Sequence, residues 1–217
     1  MPSSTSTLDP SLPPLRLPFS PSATASEPLA IQSLIDALNL QPHVEGGYFV
    51  ETDRDPLRTP SPFNSNGSSS ETRSASTTIF YLLTPAAPVG HFHRNRGRTV
   101  HTLHKGRGRY VHIHADDVAS GGREGKAKKA RVETFVVGQD VGRGERLQWI
   151  GEGGKYKCSF LLTDGEGREG SQEGCLISET VVPGFEFEDH DFLRLEGLRE
   201  LVAEEQAGEM EWMVRRD

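Results

Sequence analysis

Two hydrophobic periods occur along this chain, and they predict two kinds of element. Near each end the apolar residues recur at helical spacing, which predicts one amphipathic helix over residues 29–40, stopped by Pro42, and another over residues 192–206. The residues that follow this spacing in the first helix are Leu29, Ile31, Leu34, Ile35 and Leu38. In the second helix the predicted buried positions are Leu193, Leu198, Leu201 and Val202. The ordered part of the chain is therefore expected to begin and end with a helix.

Between these helices the pattern changes to short runs rich in β-branched and aromatic residues, separated by Gly, Pro and Asp. A turn at Gly46 and Gly47 leads into a first strand over residues 48–52. Eight further runs follow with little room for helices between them, over residues 75–83, 89–94, 98–104, 109–115, 131–138, 146–151, 155–162 and 175–185. Such spacing predicts an antiparallel all-β sandwich or barrel.

Composition divides the chain into three parts. Residues 1–28 are dominated by Ser, Pro and Thr without lasting periodicity, which predicts a disordered leader. Residues 29–205 form the single predicted domain, and residues 206–217 are expected to be a C-terminal tail. Three segments inside the domain are expected to be loops, at residues 56–73, 116–131 and 164–174.

Charge and cysteine content narrow the class of protein. The 217 residues include 24 Lys and Arg against 31 Asp and Glu, and the formal net charge of −7 argues against a nucleic-acid-binding protein. Two cysteines are too few for a disulfide framework, and no apolar run approaches the roughly 20 residues of a membrane span. The N-terminus lacks the basic-then-apolar order of a secretory signal. We expect a cytoplasmic protein with neither nucleic-acid nor membrane partners.

Candidate chemistry is concentrated in residues 90–114, which hold six of the eight histidines. Alternation along a strand places His91 and His93 on one face, and a turn after them brings His101 of the next strand toward the same pocket. Three convergent imidazoles suit either a divalent metal ion or acid and base catalysis. The trio is thus a candidate metal cage or proton-transfer cluster.

Five further segments, LNLQPHVEGGYFVETDRD, STTIFYLL, GHFHRNRGRTVHTLHKG, IGEGGKYKCSFLL and LISETVVPGFEFEDHDF, lie in this order between residue 29 and about residue 195. They resemble successive motifs of the cupin 5 family, a domain-of-unknown-function family among the RmlC-like cupins. The Glu-Gly-Gly-Tyr and Pro-Gly-Phe-x-Phe parts are the most distinctive. The resemblance implies a cupin double-stranded β-helix, which is a jelly-roll barrel, usually a homodimer, with a cavity for a small molecule.

The resemblance also sets expectations for a metal. Cupins that bind a metal use a His-x-His pair, a Glu several residues later and a His on a later strand. His91 and His93 match the pair, but Thr99 stands where the Glu would be, and Lys157 stands about where the last His would be. A hydroxyl and an ammonium are poor ligands for a divalent ion. If a divalent metal ion is bound, the expected ligands are His91, His93 and His101.

The function implied is that of a small-molecule-binding cupin, and an epimerase or isomerase acting on a sugar or another polar carbonyl metabolite is the first hypothesis. Proton transfer of this kind needs a base and a nearby acid, and the candidate catalytic residues are His91, His93, His101 and Tyr156. The candidate ligand-binding residues are Tyr81, Glu45, Glu51, Thr99 and Lys157, and the Lys157 ammonium is suited to an enolate-like charge. The alternative is a non-catalytic metabolite-binding or storage-like cupin, and a metal-dependent oxygenase-type cupin is the third hypothesis.

Overall fold

The computed structural model describes residues 6, 8–20, 26–63, 71–119, 129–165 and 170–216. The helices are α1 (Leu29–Leu38), α2 (Asp116–Ala119), α3 (Leu195–Leu201) and α4 (Glu204–Met210). The strands are β1 (Gln41–Pro42), β2 (Tyr48–Arg54), β3 (Arg58–Pro60), β4 (Thr72–Ser74), β5 (Thr77–Leu83), β6 (Val89–Arg94), β7 (Arg98–Lys105), β8 (Gly108–Ile113), β9 (Val132–Val137), β10 (Gln148–Gly151), β11 (Tyr156–Leu161), β12 (Cys175–Val182) and β13 (Asp191–Phe192). Short 3₁₀ turns lie at Val141–Arg143, Phe187–Asp189 and Glu211–Met213.

The strands form two facing antiparallel sheets. One sheet has the order β1-β2-β5-β12-β7-β10 and the other the order β13-β6-β11-β8-β9, while β3 and β4 form a separate pair. Strands β5 to β8 belong alternately to the first and the second sheet, so the chain crosses between the sheets at each connection. This is the jelly-roll arrangement, and it confirms the predicted all-β cupin fold with helices at its ends.

Apolar side chains lie in three layers around the sheets. Between the sheets, Leu103 and Ile177 belong to a cluster that fills one end of the barrel. On the outside of the six-stranded sheet, α1 contributes Ile31. On the outside of the five-stranded sheet, the C-terminal helices contribute Met210 and Met213, both fully buried. The second end of the barrel interior is left to polar residues.

The eight runs predicted as strands after residue 74 all form strands, which are β5 to β12, and the first predicted strand is β2. Strands β1, β3, β4 and β13 are only two or three residues long, too short to show alternation, and the sequence pattern does not predict them. The predicted C-terminal helix is divided into α3 and α4 because Val202 and Ala203 are extended. No helix in the described part of the chain is long and apolar enough to cross a membrane.

The structure differs from the sequence prediction at both ends of the chain, in the predicted disordered leader and in the predicted C-terminal tail. Within the leader that was expected to be disordered, Leu15 is only 2% exposed, and its carbonyl accepts a hydrogen bond from the Trp212 indole at 2.9 Å. Residues 1–5, 7 and 21–25 of that leader lie outside the described residues. The expected tail from residue 206 instead continues α4, because Ala207, Met210 and Met213 recur at helical spacing on one buried face. The two ends of the chain therefore cover the five-stranded sheet together.

Candidate functional site

Polar side chains from both sheets meet at the end of the barrel interior that the apolar cluster leaves free. They surround a small cavity of about 10 Å³, enough for about one water molecule. The residues that line it are Glu45, Tyr81, Gly90, His93, Tyr110, Lys157, Cys158, Ser159 and Glu179. Several ionisable groups enclosed together in this way are typical of a functional site.

One side of the cavity is formed by Lys157, Glu179 and His101. Lys157 lies on β11 of one sheet, while Glu179 on β12 and His101 on β7 are direct cross-strand partners in the other. The Lys157 Nζ donates hydrogen bonds to Glu179 Oε2 at 2.7 Å and to His101 Nε2 at 3.0 Å. The His101 ring is fully buried and stacks on Trp149, with the ring centroids 5.1 Å apart. These side chains connect the two sheets across the interior.

The Lys157 ammonium compensates the charge of Glu179. Burial by itself raises the pKa of Glu179, but Lys157 and His101 outweigh burial and hold that pKa well below 4.5. Burial lowers the pKa of His101, and the nearby ammonium lowers it further, so this imidazole is neutral at neutral pH. Because its Nε2 accepts from Lys157, the ring proton resides on Nδ1. The outcome is a buried ion pair whose ammonium is held in position by an imidazole.

The other side of the cavity is formed by Glu45, His93 and His190. Glu45 lies in the turn between β1 and β2, His93 lies on β6, and His190 follows the 3₁₀ turn at Phe187–Asp189. The Glu45 Oε1 accepts a hydrogen bond from His190 Nε2 at 2.8 Å, and Glu45 Oε2 lies 3.3 Å from His93 Nε2. The two rings are nearly parallel, with centroids 5.4 Å apart, and both present Nε2 to the same carboxylate.

The turn that carries Glu45 depends on glycine. Gly46 has a φ of +102°, and a Cβ at this position would lie 2.0 Å from the carbonyl oxygen of Val89. The carbonyl of Gly46 in turn accepts a hydrogen bond from the Tyr81 hydroxyl at 2.8 Å. The close approach of this turn to β6 therefore places the Glu45 carboxylate beside His93.

The tautomer of His93 is fixed by the backbone. Its Nδ1 lies 2.9 Å from the carbonyl oxygen of His91, which can only accept, so Nδ1 carries the proton and Nε2 presents a lone pair. Burial lowers the pKa of His93 to about 4 although Glu45 opposes this. Burial alone would raise the pKa of Glu45, but His93, His190 and further neighbours lower it to about 2. At neutral pH an ionised carboxylate and an unprotonated ring nitrogen thus face each other.

His91 does not share the cavity face with His93, which corrects the prediction from strand alternation. The pairing of β6 with β11 shifts register, because Lys157 pairs with His93 but Ser159 pairs with Gly90, so that β6 contains one extra residue. Such a bulge reverses the alternation of faces beyond it. The His91 Nδ1 donates instead to the last carbonyl of the C-terminal 3₁₀ turn at 3.1 Å, outside the barrel interior.

Of the remaining residues that were predicted to bind a ligand or to act in catalysis, some line the cavity and others do not. Tyr81 lines the cavity. Thr99 is buried in β7, and its hydroxyl has no hydrogen-bond partner among the described residues. Tyr156 does not line the cavity, because Lys157 and Ser159 face inward on β11 and alternation turns Tyr156 to the outer layer. Glu51 is exposed on β2, where its carboxylate forms an ion pair with Arg54 at 2.9 Å outside the cavity.

The four positions of the cupin metal pattern do not fit a divalent ion here. His91 is turned away, Thr99 offers only a hydroxyl, and Lys157 is an ammonium bound to Glu179. Within the described ranges, the ligand atoms of His91, His93 and His101 do not converge either. The bulge at His91 and the hydrogen bond from Lys157 to His101 are the physical reasons. No reaction step is therefore derived through a metal at these positions.

Two ionisable side chains of the site, those of Glu179 and His190, were not among the predicted residues. Glu179 carries a signal in the sequence, because it occupies an inward position of β12 between the buried residues Ile177 and Val181, where a carboxylate is costly without a partner. His190 carries none, since it follows an irregular segment without periodicity. Only the fold brings it to Glu45.

Comparisons with known proteins agree with this architecture. The family described as "Cupin superfamily (DUF985)" matches residues 32–193. An uncharacterized protein of Saccharomyces cerevisiae is 43% identical over 192 residues, which cover 86% of this chain and 87% of that protein. The solved structure of a hypothetical protein from Leishmania major has a TM-score of 0.67 and 30% identity, covering 85% of this chain and 98% of its own. A solved protein from Shewanella oneidensis has a TM-score of 0.62 and 23% identity, covering 89% and 100%.

Proposed function

The chain belongs to the family described as Cupin superfamily (DUF985), and we propose that it is a small-molecule enzyme of the isomerase or epimerase type. The proposed substrate is a sugar or another polar compound with a carbonyl group. One observation carries the proposal: Lys157 and Glu179 form an ion pair and both line the cavity. They offer a cation for a developing oxyanion directly beside a carboxylate that can accept a proton.

In the proposed reaction, Glu179 removes the proton from the carbon next to the carbonyl. The electrons of the broken C–H bond form the C=C bond of an enolate, and the carbonyl oxygen becomes an oxyanion stabilised by Lys157. As Lys157 shifts its hydrogen bonds toward that oxygen, its hold on Glu179 weakens and the carboxylate becomes more basic. His101 acts as a positioning residue for the ammonium.

Return of the proton determines the product. In a substrate with a hydroxyl group on the deprotonated carbon, that hydroxyl passes its proton to the oxyanion, and a proton returned by Glu179 to the former carbonyl carbon then gives the isomer with the carbonyl group moved by one carbon. A proton returned to the opposite face of the deprotonated carbon gives an epimer. Tyr110 is the proposed donor for the opposite face, because it lines the cavity and burial raises its pKa well above 10, which keeps its hydroxyl protonated. In each case one proton leaves carbon and one is restored, so no oxidant is needed. After epimerisation the proton held by Glu179 is released to solvent and the Tyr110 phenolate takes one up, which restores both groups.

The cavity also limits how a substrate binds. Its volume of about 10 Å³ accommodates one water-sized group, which matches a carbonyl oxygen rather than a whole sugar. We therefore expect the substrate to insert its carbonyl end between Lys157 and Tyr110, with the remainder near His190 at the barrel end. A homodimeric state and a cytoplasmic location stay predictions from the sequence.

Hydrogen exchange tests the proposal. The untagged protein is incubated in deuterated water with a panel of aldoses, ketoses and keto acids, and loss of the proton next to the carbonyl is followed by nuclear magnetic resonance. We expect exchange with the wild type that is lost in Glu179→Gln and kept in the control Glu152→Gln, which removes an exposed carboxylate. Exchange that survives Glu179→Gln contradicts the proposal. A compound that raises the melting temperature without exchange favours the non-catalytic binding alternative.

A further inference from the structure

We propose that Glu45, His93 and His190 form a binding site for one divalent transition-metal ion of the Zn²⁺ class. One ligand atom from each of these residues lies within 4.8 Å of the other two. Glu45 Oε2 is 3.3 Å from His93 Nε2, a spacing that fits two ligands of one tetrahedral ion at ligand distances of about 2.0–2.2 Å. Glu45 Oε1 is 2.8 Å from His190 Nε2, in a hydrogen bond that the ion would replace. The site uses only one position of the cupin metal pattern, and it does not depend on the proposed reaction.

The charges around Glu45 support a cation at this point. Among the described residues, the ion-pair partners of the Glu45 carboxylate are all imidazoles, those of His43, His93 and His190. The ammonium of Lys157 is bound to Glu179, which compensates it. A buried carboxylate is costly unless positive charge compensates it, and a divalent ion held by these imidazoles supplies such charge.

The orientation of His93 is that of a metal ligand. Its Nδ1–H donates to a backbone carbonyl at 2.9 Å, which leaves the Nε2 lone pair directed at the carboxylate. A hydrogen bond of this kind from the second ring nitrogen orients metal-binding histidines in general. His190 presents Nε2 to the same carboxylate, and ion binding requires its proton to move to Nδ1.

The ligand set also indicates the coordination number. Two imidazoles and one carboxylate are a common set of protein ligands for zinc sites that keep a position open for solvent. Glu45 and His93 both line the cavity, which has room for about one water molecule. In the protein without substrate, the cavity is therefore expected to hold the fourth ligand of the ion, a water.

The test is a direct measurement of metal binding. The full, untagged chain is stripped with a chelator and titrated with Zn²⁺ in competition with a chromophoric chelator, and Co²⁺ is added separately to record its visible absorption. We expect one Zn²⁺ per chain and a Zn²⁺-dependent rise in melting temperature. Glu45→Gln and His190→Asn are expected to lower the affinity at least about 100-fold and to abolish the rise, because even the loss of an outer hydrogen-bond partner costs about 10- to 100-fold.

The matched control is Asp117→Asn, which removes a ligand from the second group of potential metal ligands, His114, Asp116 and Asp117. It is expected to keep wild-type affinity. Circular dichroism without metal checks the folding of each variant, and His190→Asn serves as the test variant if Glu45→Gln does not fold. The proposal is overturned if the wild type binds no stoichiometric Zn²⁺, if His190→Asn binds as tightly as the wild type, or if Asp117→Asn abolishes binding.

Discussion

Replacing Lys157 by methionine is expected to destabilise the fold strongly, because it leaves the Glu179 carboxylate buried without its cation. The two charged atoms are 2.7 Å apart, and both side chains are nearly buried, with 6% and 12% exposure. At an effective dielectric constant of about 20 their attraction amounts to about 6 kcal/mol, offset in part by the desolvation of both groups. Removing one partner of such a pair costs about 3–5 kcal/mol.

The complete experiment is a double-mutant cycle of Lys157→Met, Glu179→Met and the double variant. Each single variant is expected to lose about 3–5 kcal/mol of unfolding free energy, while the double variant returns to within about 2 kcal/mol of the wild type, since methionine fills a similar volume without charge. The free energies come from urea unfolding at neutral pH, followed by circular dichroism.

A surface pair provides the comparison. Arg98 and Glu152 lie 3.5 Å apart, and both side chains are half exposed, so Arg98→Met is expected to change the unfolding free energy by less than about 1 kcal/mol. A coupling energy between Lys157 and Glu179 below about 1 kcal/mol, or a double variant no more stable than the single ones, would refute the buried ion pair as the connection between the sheets.

Three further predictions concern stability. Burial first, and then nearby positive groups, lower the pKa of His112 from 6.5 to about 3, so between these pH values the unfolded chain binds a proton that the folded chain does not. The free energy of unfolding should therefore fall as the pH drops from 6.5 toward 3, by up to about 1.4 kcal/mol per pH unit. Urea unfolding at a series of pH values should find a smaller dependence of this free energy on pH in His112→Leu. Gly144→Ala is expected to lower the free energy of unfolding by about 1–2 kcal/mol, and Gly46→Ala by more. Both glycines have a positive φ, but only the Cβ added at Gly46 meets a carbonyl oxygen. Equal melting temperatures of the two variants would contradict this. Met213→Ala should cost about 2–5 kcal/mol in urea unfolding, against less than about 0.5 kcal/mol for Phe187→Ala, whose ring is 79% exposed.

The barrel could be predicted from the sequence because each long strand keeps one period between its turns. The resemblance to the cupin metal pattern indicates that Lys157 belongs to the cavity region, and the glycines after Glu45 indicate the turn that carries Glu45. The rule of one period per strand fails at His91, because the bulge in β6 depends on pairing with β11 and has no local signature. A single extra residue thus accounts for the difference between the expected histidine pair and the observed one.

The parts of the molecule that were not predicted are joined by contacts distant in sequence. His190 is held near Glu45 beside Asp189, whose carboxylate forms a buried ion pair with the Arg73 guanidinium 116 residues earlier. Leu15 and Trp212 are 197 residues apart when they form their hydrogen bond. Periodicity describes which face of an element is buried, but it does not describe which distant segment covers that face.

The positions of the two tryptophans allow the interior and the cover of the barrel to be observed separately by fluorescence. Trp149 is 4% exposed and stacks on His101, next to the Lys157 ammonium, whereas Trp212 packs on Phe160 outside the five-stranded sheet. The chain has no other tryptophan. A Trp212→Phe protein therefore emits only from beside the cavity, where a ligand or an ion changes the surroundings of the indole, and a Trp149→Phe protein emits only from the C-terminal cover. Unequal unfolding midpoints for these two proteins would indicate that the cover detaches while the barrel is still folded.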